Sequence, residues 1–515
     1  MERNIAAVIL LLFSCQAAAA ARAGGVRRPP TLARHYASSS AHRHRHHVTA
    51  AGDASDGGVS VPPTVQYETR RYTQRLDHFN SLPASYATFQ QRGAHLPVRR
   101  QRDRHRPVHQ QHTGFMWEAA PRFRAMLVFV EHRYYGESLP FGGAREAAFR
   151  DAATKGYLTV TQALADYASF VLSLKANLSA PAAPVLVFGV SYGGMLAAWM
   201  RLKYPHVVMG AVASSAPILS FYGIVDPYAF YDRITDDFKR EQELLRRASE
   251  VVGRSLRCAR NKGRPGIAET GISVWDIPSL LDNAVAEAAM TDYPTPGFLT
   301  PLPAYPVRSM CRAIDDRQTP AASSSSGNEY GNSSTTLLLL PQQVRDAMNV
   351  YYNHTGAAAC FGAAEDDDPY DGWNWEACTE MMVMAYGVRD GSVLPPSPSN
   401  FTDVVDDCRK DTGLPPRPFW IETEFGGYDI ANVLNKSASN ILFFNGLRDP
   451  WSTGGVLKSI SDSVIALVEP KGAHHVDLRF SSKDDPEWLK QVRVKETRII
   501  ARWLKQYYSD EGIAT

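Results

Sequence analysis

A serine, an acid and a histidine, in a fixed chain order, could together activate a hydroxyl for attack on a carbonyl. Ser191 sits in Gly189-Val190-Ser191-Tyr192-Gly193. A serine on a sharp strand-to-helix turn must adopt strained backbone angles, and glycines two residues either side leave room for it. Such a turn exposes the hydroxyl and aims the Tyr192 backbone N–H into a helix N-terminus, where an oxyanion would be stabilised. The hydroxyl is a weak nucleophile at its own pKa and needs an imidazole to take its proton. His474 and His475 are both placed to do so, and spacing cannot rank adjacent residues. Asp449 supplies a carboxylate that would fix the imidazole tautomer and stabilise the imidazolium. Singly, Asp449 reads as a turn residue before Pro450 and either histidine as a satisfied loop residue. Their order along the chain favours the set.

The elements that must hold these residues are also legible. Val185-Leu186-Val187-Phe188 reads as a buried strand before Ser191, and an alanine- and leucine-rich run through Tyr204 as a helix after it. Ala125 to Val130 is a continuous apolar run, the mark of a strand buried on both faces. It ends in the polar cluster Glu131-His132-Arg133-Tyr134-Tyr135-Gly136-Glu137-Ser138, which suits either the carboxyl edge of a parallel sheet or a salt-bridged loop. Leu158 to Leu174 reads as a crossover helix and Gly210 to Ala213 as the next strand. Asn440 to Phe444 is a strand leading to Asp449, and Val464 to Val468 one leading to His474. A helix from Glu487 to Tyr508 closes the chain, packing through Val492, Ile499, Ile500 and Trp503. The βαβ alternation implies a doubly wound, mostly parallel α/β sheet. Between its halves, residues 221–435 change texture. Helical patterns at Asp226 to Val252, Val274 to Met290 and Gln342 to Tyr352 alternate with Pro-, Ser- and Asp-rich linkers. This reads as an inserted, mainly helical cap, with Ser323 to Thr336 a low-complexity loop.

Composition bounds the class. With 515 residues, 44% hydrophobic and 21% charged, the chain fits a soluble globular protein, and a net charge of +2 implies no polyanionic partner. Arg3, the apolar run Ile5 to Phe13 and small residues from Ala17 to Ala21 read as a secretory signal peptide over 1–22, too short to span a membrane. Residues 23–62 form a solvated leader. Its tract His42-Arg43-His44-Arg45-His46-His47 could bind a metal, but nothing nearby can pack, and no metal or cofactor is expected. The sheet core is then 63–220 and 436–515. Sequons at Asn177, Asn332, Asn353, Asn400 and Asn435 fit a glycoprotein of the secretory pathway, extracellular or in a vacuole- or lysosome-like compartment. Without Cys15 the chain keeps Cys258, Cys311, Cys360, Cys378 and Cys408, an odd number in an oxidising compartment.

The segments around Ser191 through Tyr204-Pro205, AMLVFVEHRYYGESLPFG from Ala125, TDYPTP from Thr291, NGLRDPWSTGGV from Asn445 and GAHHVDLR from Gly472 resemble the lysosomal Pro-X carboxypeptidase and dipeptidyl-peptidase II family of serine peptidases. The likeness runs from about Tyr67 to Tyr508, with plant carboxypeptidase-like members looking nearest. It implies an α/β-hydrolase with a helical cap that cleaves short peptides beside proline, with no nucleic acid or membrane partner. A homodimer is one assembly left open. Carried over by motif, Ser191 is the nucleophile, Asp449 the acid and His474 the base, with His475 and Arg479 as a supporting relay. Met195, Trp451 and Met384 resemble proline-pocket residues. Cys378–Cys408 and Cys258–Cys360 match family disulfides, leaving Cys311 over, and Ala259 to Thr270 reads as an inserted surface loop. Release of an N-terminal dipeptide competes with trimming of a C-terminal residue. The same scaffold could also serve an esterase or a catalytically impaired glycoprotein.

One interval departs from the family. Where family members carry two strands and a Gly-Asn-Glu-Gly loop, residues 93–112 read GAHLPVRRQRDRHRPVHQQH. The loop lies where α/β-hydrolases place their second oxyanion donor. Arg99 to Arg106 offers nothing that could form a buried strand. Matching flanks around a mismatched middle point to a frame or splice-site error in the coding sequence.

Overall fold

The computed structural model describes residues 8–14, 68–96, 113–241, 277–298, 301–315, 333–356, 372–381 and 386–513. Eight strands form one sheet: β1 (Val8–Ser14), β2 (Glu68–Arg75), β3 (Thr88–Leu96), β4 (Ala125–Glu131), β5 (Val185–Val190), β6 (Gly210–Ser214), β7 (Ile441–Gly446) and β8 (Val464–Glu469). Their spatial order is β2-β3-β4-β1-β5-β6-β7-β8. β3 pairs antiparallel with both β2 and β4, and every other pairing is parallel.

Alternation along the inner strands divides the apolar residues between two cores, as the strand period of two requires. Leu127, Phe129, Leu186, Phe188, Val212 and Leu442 face one side. Helices α1 (Gly114–Phe123) and, last in the chain, α9 (Glu487–Asp510) cover that side through Phe115, Met116, Ile500 and Trp503. Val128, Val130, Val185, Val187, Ala211 and Phe443 face the other side, beneath α2 (Val160–Asn177) and α3 (Tyr192–Lys203). Helices on both faces of a mostly parallel sheet explain why β5 and β6 are buried throughout. Between β6 and β7 the chain contributes α4 (Ala229–Glu241), α5 (Ile277–Met290), α6 (Pro306–Asp315), α7 (Ser333–Tyr352) and α8 (Phe401–Thr412). Phe230, Val285, Met310 and Met348 from this insertion share the core under α2 and α3.

Several expectations change. The apolar run read as a signal-peptide core forms β1, the strand between β4 and β5. It pairs from Val8 opposite Ala125 to Ser14 opposite Glu131, and from Ile9 opposite Val185 to Leu12 opposite Phe188. A slot flanked on both sides demands an apolar run able to extend. Val8-Ile9-Leu10-Leu11-Leu12-Phe13 meets that demand with the same composition that a leader needs. The aberrant interval also begins later than its composition suggests, because Gly93 to Leu96 continue β3 against β4. α7 begins at Ser333, so the end of the low-complexity stretch is helical, and the first cap helix is described only over Ala229–Glu241. The tracts 23–62 and 259–270 lie outside the described residues. No described helix is long and apolar enough to cross a membrane.

Candidate active site

The turn between β5 and α3 is built as its glycines predict. Ser191 has φ 58° and ψ −127°, a conformation that L-residues rarely hold. Its N–H donates to the Ser214 carbonyl at 2.9 Å, tying the turn to β6. A Cβ on Gly189 would come within 1.9 Å of the Gly193 carbonyl oxygen, so only glycine permits this approach. Tyr192 is the first residue of α3, which places its N–H among the unsatisfied donors of the helix start.

Two strands away, β7 ends in a turn that Asp449 caps by accepting from the Trp451 N–H at 3.0 Å. The other Asp449 oxygen lies 2.7 Å from His474 Nδ1. A carboxylate only accepts, so Nδ1 carries a proton, which aims the other ring nitrogen, Nε2, away from the acid. Both side chains are buried. The segment Met290-Thr291-Asp292-Tyr293 holds the histidine's backbone: the His474 N–H donates to Met290 O, and Tyr293 Oη donates to His474 O, each at 3.0 Å. Arg448 pairs with the buried Asp292 at 2.5 Å, fixing the residue before Asp449 to the same segment. Ser191, Asp449 and His474 thus stand at the carboxyl ends of β5, β7 and β8. Ser191 Oγ is buried and makes no hydrogen bond among the described residues. Contacts of this kind often tighten only around substrate.

His475 is left-handed at φ 37°, donates its N–H to Ser215 Oγ at 2.8 Å, and sets its ring 4.7 Å from that of His474, tilted by 60°. Arg479 pairs with Asp485, whose second oxygen accepts from Arg493 at 2.6 Å. Met195 is buried in the first turn of α3. Trp451 packs at 4.9 Å against Phe230 and 6.2 Å from Tyr386, two rings that no sequence motif singles out. Cys378 and Cys408 form a disulfide, and Cys311 is buried on α6. Asn177, Asn400 and Asn435 are exposed and Asn353 is partly so. Met384, Cys258, Cys360 and Asn332 lie outside the described residues.

Sequence reasoning also passes over the role of Asp292 and Tyr293. The TDYPTP motif signals them, but nothing local says that it supports His474. Tyr135 and Glu376 carry still less signal.

The sheet order, the helices on both faces and the strained serine turn define an α/β-hydrolase. The family model for serine carboxypeptidase S28 matches residues 100–260 and 267–496. The chain is 38% identical over 414 residues to the lysosomal Pro-X carboxypeptidase of Bos taurus, covering 77% of this chain and 78% of that one. It is 38% identical over 421 residues to the lysosomal Pro-X carboxypeptidase of Homo sapiens, covering 78% and 79%. A serine protease of Arabidopsis thaliana is 25% identical over 411 residues, covering 75% and 77%, so of these three the animal proteins stand nearer. The chain belongs to the serine carboxypeptidase S28 family and is a serine-type peptidase.

Proposed function

We propose that this chain hydrolyses short peptides beside proline, releasing a C-terminal residue, through Ser191, His474 and Asp449. The observation that carries the reading is the 2.7 Å contact between Asp449 and His474 Nδ1, on the sheet edge that also holds the strained Ser191. His474 Nε2 takes the Ser191 proton as Oγ attacks the scissile carbonyl, and the oxyanion faces the Tyr192 N–H. Collapse breaks the C–N bond, and the imidazolium returns its proton to the leaving amine. Water, deprotonated by the same imidazole, then releases the acyl group from serine. Buried Trp451, Phe230, Tyr386 and Met195 supply an apolar wall suited to a proline ring. The names of the relatives support both the Pro-X preference and a lysosome-like location.

A fluorophosphonate probe is expected to label the wild type and not Ser191→Ala, and Pro-X peptides to outrun p-nitrophenyl esters. His474→Ala should cost several orders of magnitude in turnover and His475→Ala about 10–100-fold. The reverse ranking would exchange their roles. A catalytically impaired protein is the second reading. It is favoured by β1, which fills the slot beside the nucleophile strand with a segment from the chain's start, while the sequence offers no second oxyanion loop in the usual place. Absence of labelling in a folded protein would select it.

A further inference from the structure

We propose that Glu376 is a positioning residue for the oxyanion donor, acting through the hydroxyl of Tyr192. The inference rests on the reading of Ser191 as nucleophile and of the Tyr192 N–H as its oxyanion donor.

Glu376 ends a one-turn helix, Gly372–Glu376, in the insertion, and is fully buried. Tyr192 Oη donates to its Oε1 at 3.0 Å, and Tyr135 Oη donates to its Oε2 at 2.5 Å. The second tyrosine comes from the turn after β4, so one carboxylate joins the insertion, the β4 edge and the residue that follows the nucleophile. His132 completes the cluster, with Nε2 3.6 Å from Glu376 Oε1 and 3.5 Å from Tyr192 Oη. Its Nδ1 lies 2.8 Å from the Arg133 carbonyl, which only accepts. Nδ1 therefore carries a proton, and burial lowers the ring's pKa to about 4, leaving Nε2 without one near neutrality. The Tyr192 hydroxyl has one hydrogen, and the shorter contact directs it to Glu376. Trp373, three residues before Glu376, packs edge-on against the Tyr192 ring at 5.0 Å.

The clamp is itself anchored. Glu380, four residues on, accepts from the Val160 N–H at the start of α2 and from Arg417, each at 2.8 Å. Between the two glutamates, Cys378 is tied to Cys408. Glu376 therefore sits on a segment fixed at three points, and its hydrogen bond sets the rotation of the Tyr192 side chain. Because that side chain leaves the first residue of α3, its orientation bears on the direction of the main-chain N–H beside Ser191. Hydrogen bonds away from water are stronger than the same bonds in solvent, so the constraint is stiff. A donor acts fully only at about 2.7–3.1 Å from the position that the oxyanion will occupy, so a small change in its direction matters.

The test uses the full chain with Tyr192→Phe, Glu376→Gln, Glu376→Ala and the Tyr192→Phe/Glu376→Ala double variant. The readouts are kcat and KM on a Pro-X peptide, and inhibition by a peptidyl-proline aldehyde, whose hemiacetal presents an oxyanion. Tyr192→Phe and Glu376→Ala should each lower kcat about 10–100-fold, less than the 10²–10³ for losing a donor outright. KM should hold within about threefold, and the double variant should be no worse than the poorer single one. Aldehyde affinity should weaken in step with kcat/KM, and Glu376→Gln, which still accepts one tyrosine hydroxyl, should recover part of the loss. A purely structural role would lower the melting temperature and leave kcat and aldehyde affinity alone. If Glu376→Ala fails to fold, Tyr192→Phe decides, since it removes one oxygen and leaves the backbone. Unchanged kcat, or a rise in KM alone, overturns the proposal. Failure of the fluorophosphonate to label Ser191 in the wild type overturns instead the reading on which it rests.

Discussion

Deleting residues 1–22, as leader removal would, takes β1 out of the middle of the sheet. Its seven register pairs with β4 and four with β5 correspond to about nine ladder hydrogen bonds. At about 0.5–1.5 kcal/mol net for each, their loss costs roughly 5–13 kcal/mol, as much as the whole stability of a typical domain at about 5–15 kcal/mol. The true cost is higher, because β4 and β5 would face each other across an empty strand width of about 4.8 Å on each side, with buried donors and acceptors unpaired. A chain beginning at Ala23 is therefore expected to show no cooperative unfolding transition, to bind a hydrophobic dye and to escape fluorophosphonate labelling. The chain with residues 1–22 should unfold cooperatively in the same buffer. Denaturant titration followed by intrinsic fluorescence, with probe labelling on the same samples, makes the comparison. A chain from Ala23 with an unchanged midpoint and normal labelling would refute the reasoning and show the slot to be dispensable or filled from elsewhere. Retention of β1 and removal of a leader exclude each other, so N-terminal sequencing of folded protein recovered from cells bears directly on the result.

Transcript sequencing across the codons for residues 97–112 is expected to reveal a different reading with a strand-forming segment and a glycine-containing loop; a transcript encoding the stretch as given, with normal peptidase activity, would show the interval to be tolerated. Stability should be greatest in acid. Burial raises Asp477 and Asp292 to about 6 and Glu380 to about 7, and raises Glu496, beside Asp477, further. Each holds a proton when folded that the unfolded chain has lost, so its contribution is full below the unfolded pKa and fades as pH rises through the folded value. His132, lowered to about 4, acts the other way, losing its contribution as pH falls from about 6.5, but it opposes four carboxyls. The urea midpoint should fall between about pH 5 and 8, and Glu496→Gln should flatten that slope; a midpoint rising with pH would contradict the assignment. Replacing Cys378 and Cys408 by serine opens a bridge with a sequence separation of 30 and should cost about 3–4 kcal/mol, read as a lower denaturant midpoint. Trp451→Ala removes the ring between Phe230 and Tyr386 and should lower kcat/KM for Pro-X peptides about 10-fold or more, with fluorophosphonate labelling retained.

Local chemistry made much of this protein legible from its sequence. The glycines around Ser191 announce a turn that only they permit, and apolar runs of four to six residues announce strands covered on both faces. The positions of Asp449 and His474 just past such runs announce a common edge, because parallel strands all end on one side. These signals are carried by neighbours in the chain, so they need no fold to be read. What they cannot specify is which of two adjacent histidines turns toward the acid. Tertiary structure decides it, through a left-handed His475 held by Ser215 and a His474 backbone gripped from Met290 and Tyr293. The tyrosines that meet at Glu376 lie 241 and 184 residues from it, and no periodicity links them. The role of Val8–Ser14 was the least legible of all. An apolar heptapeptide has the same composition as a leader core and as a buried strand, and only the slot between β4 and β5, with both neighbours lacking a partner, distinguishes the two.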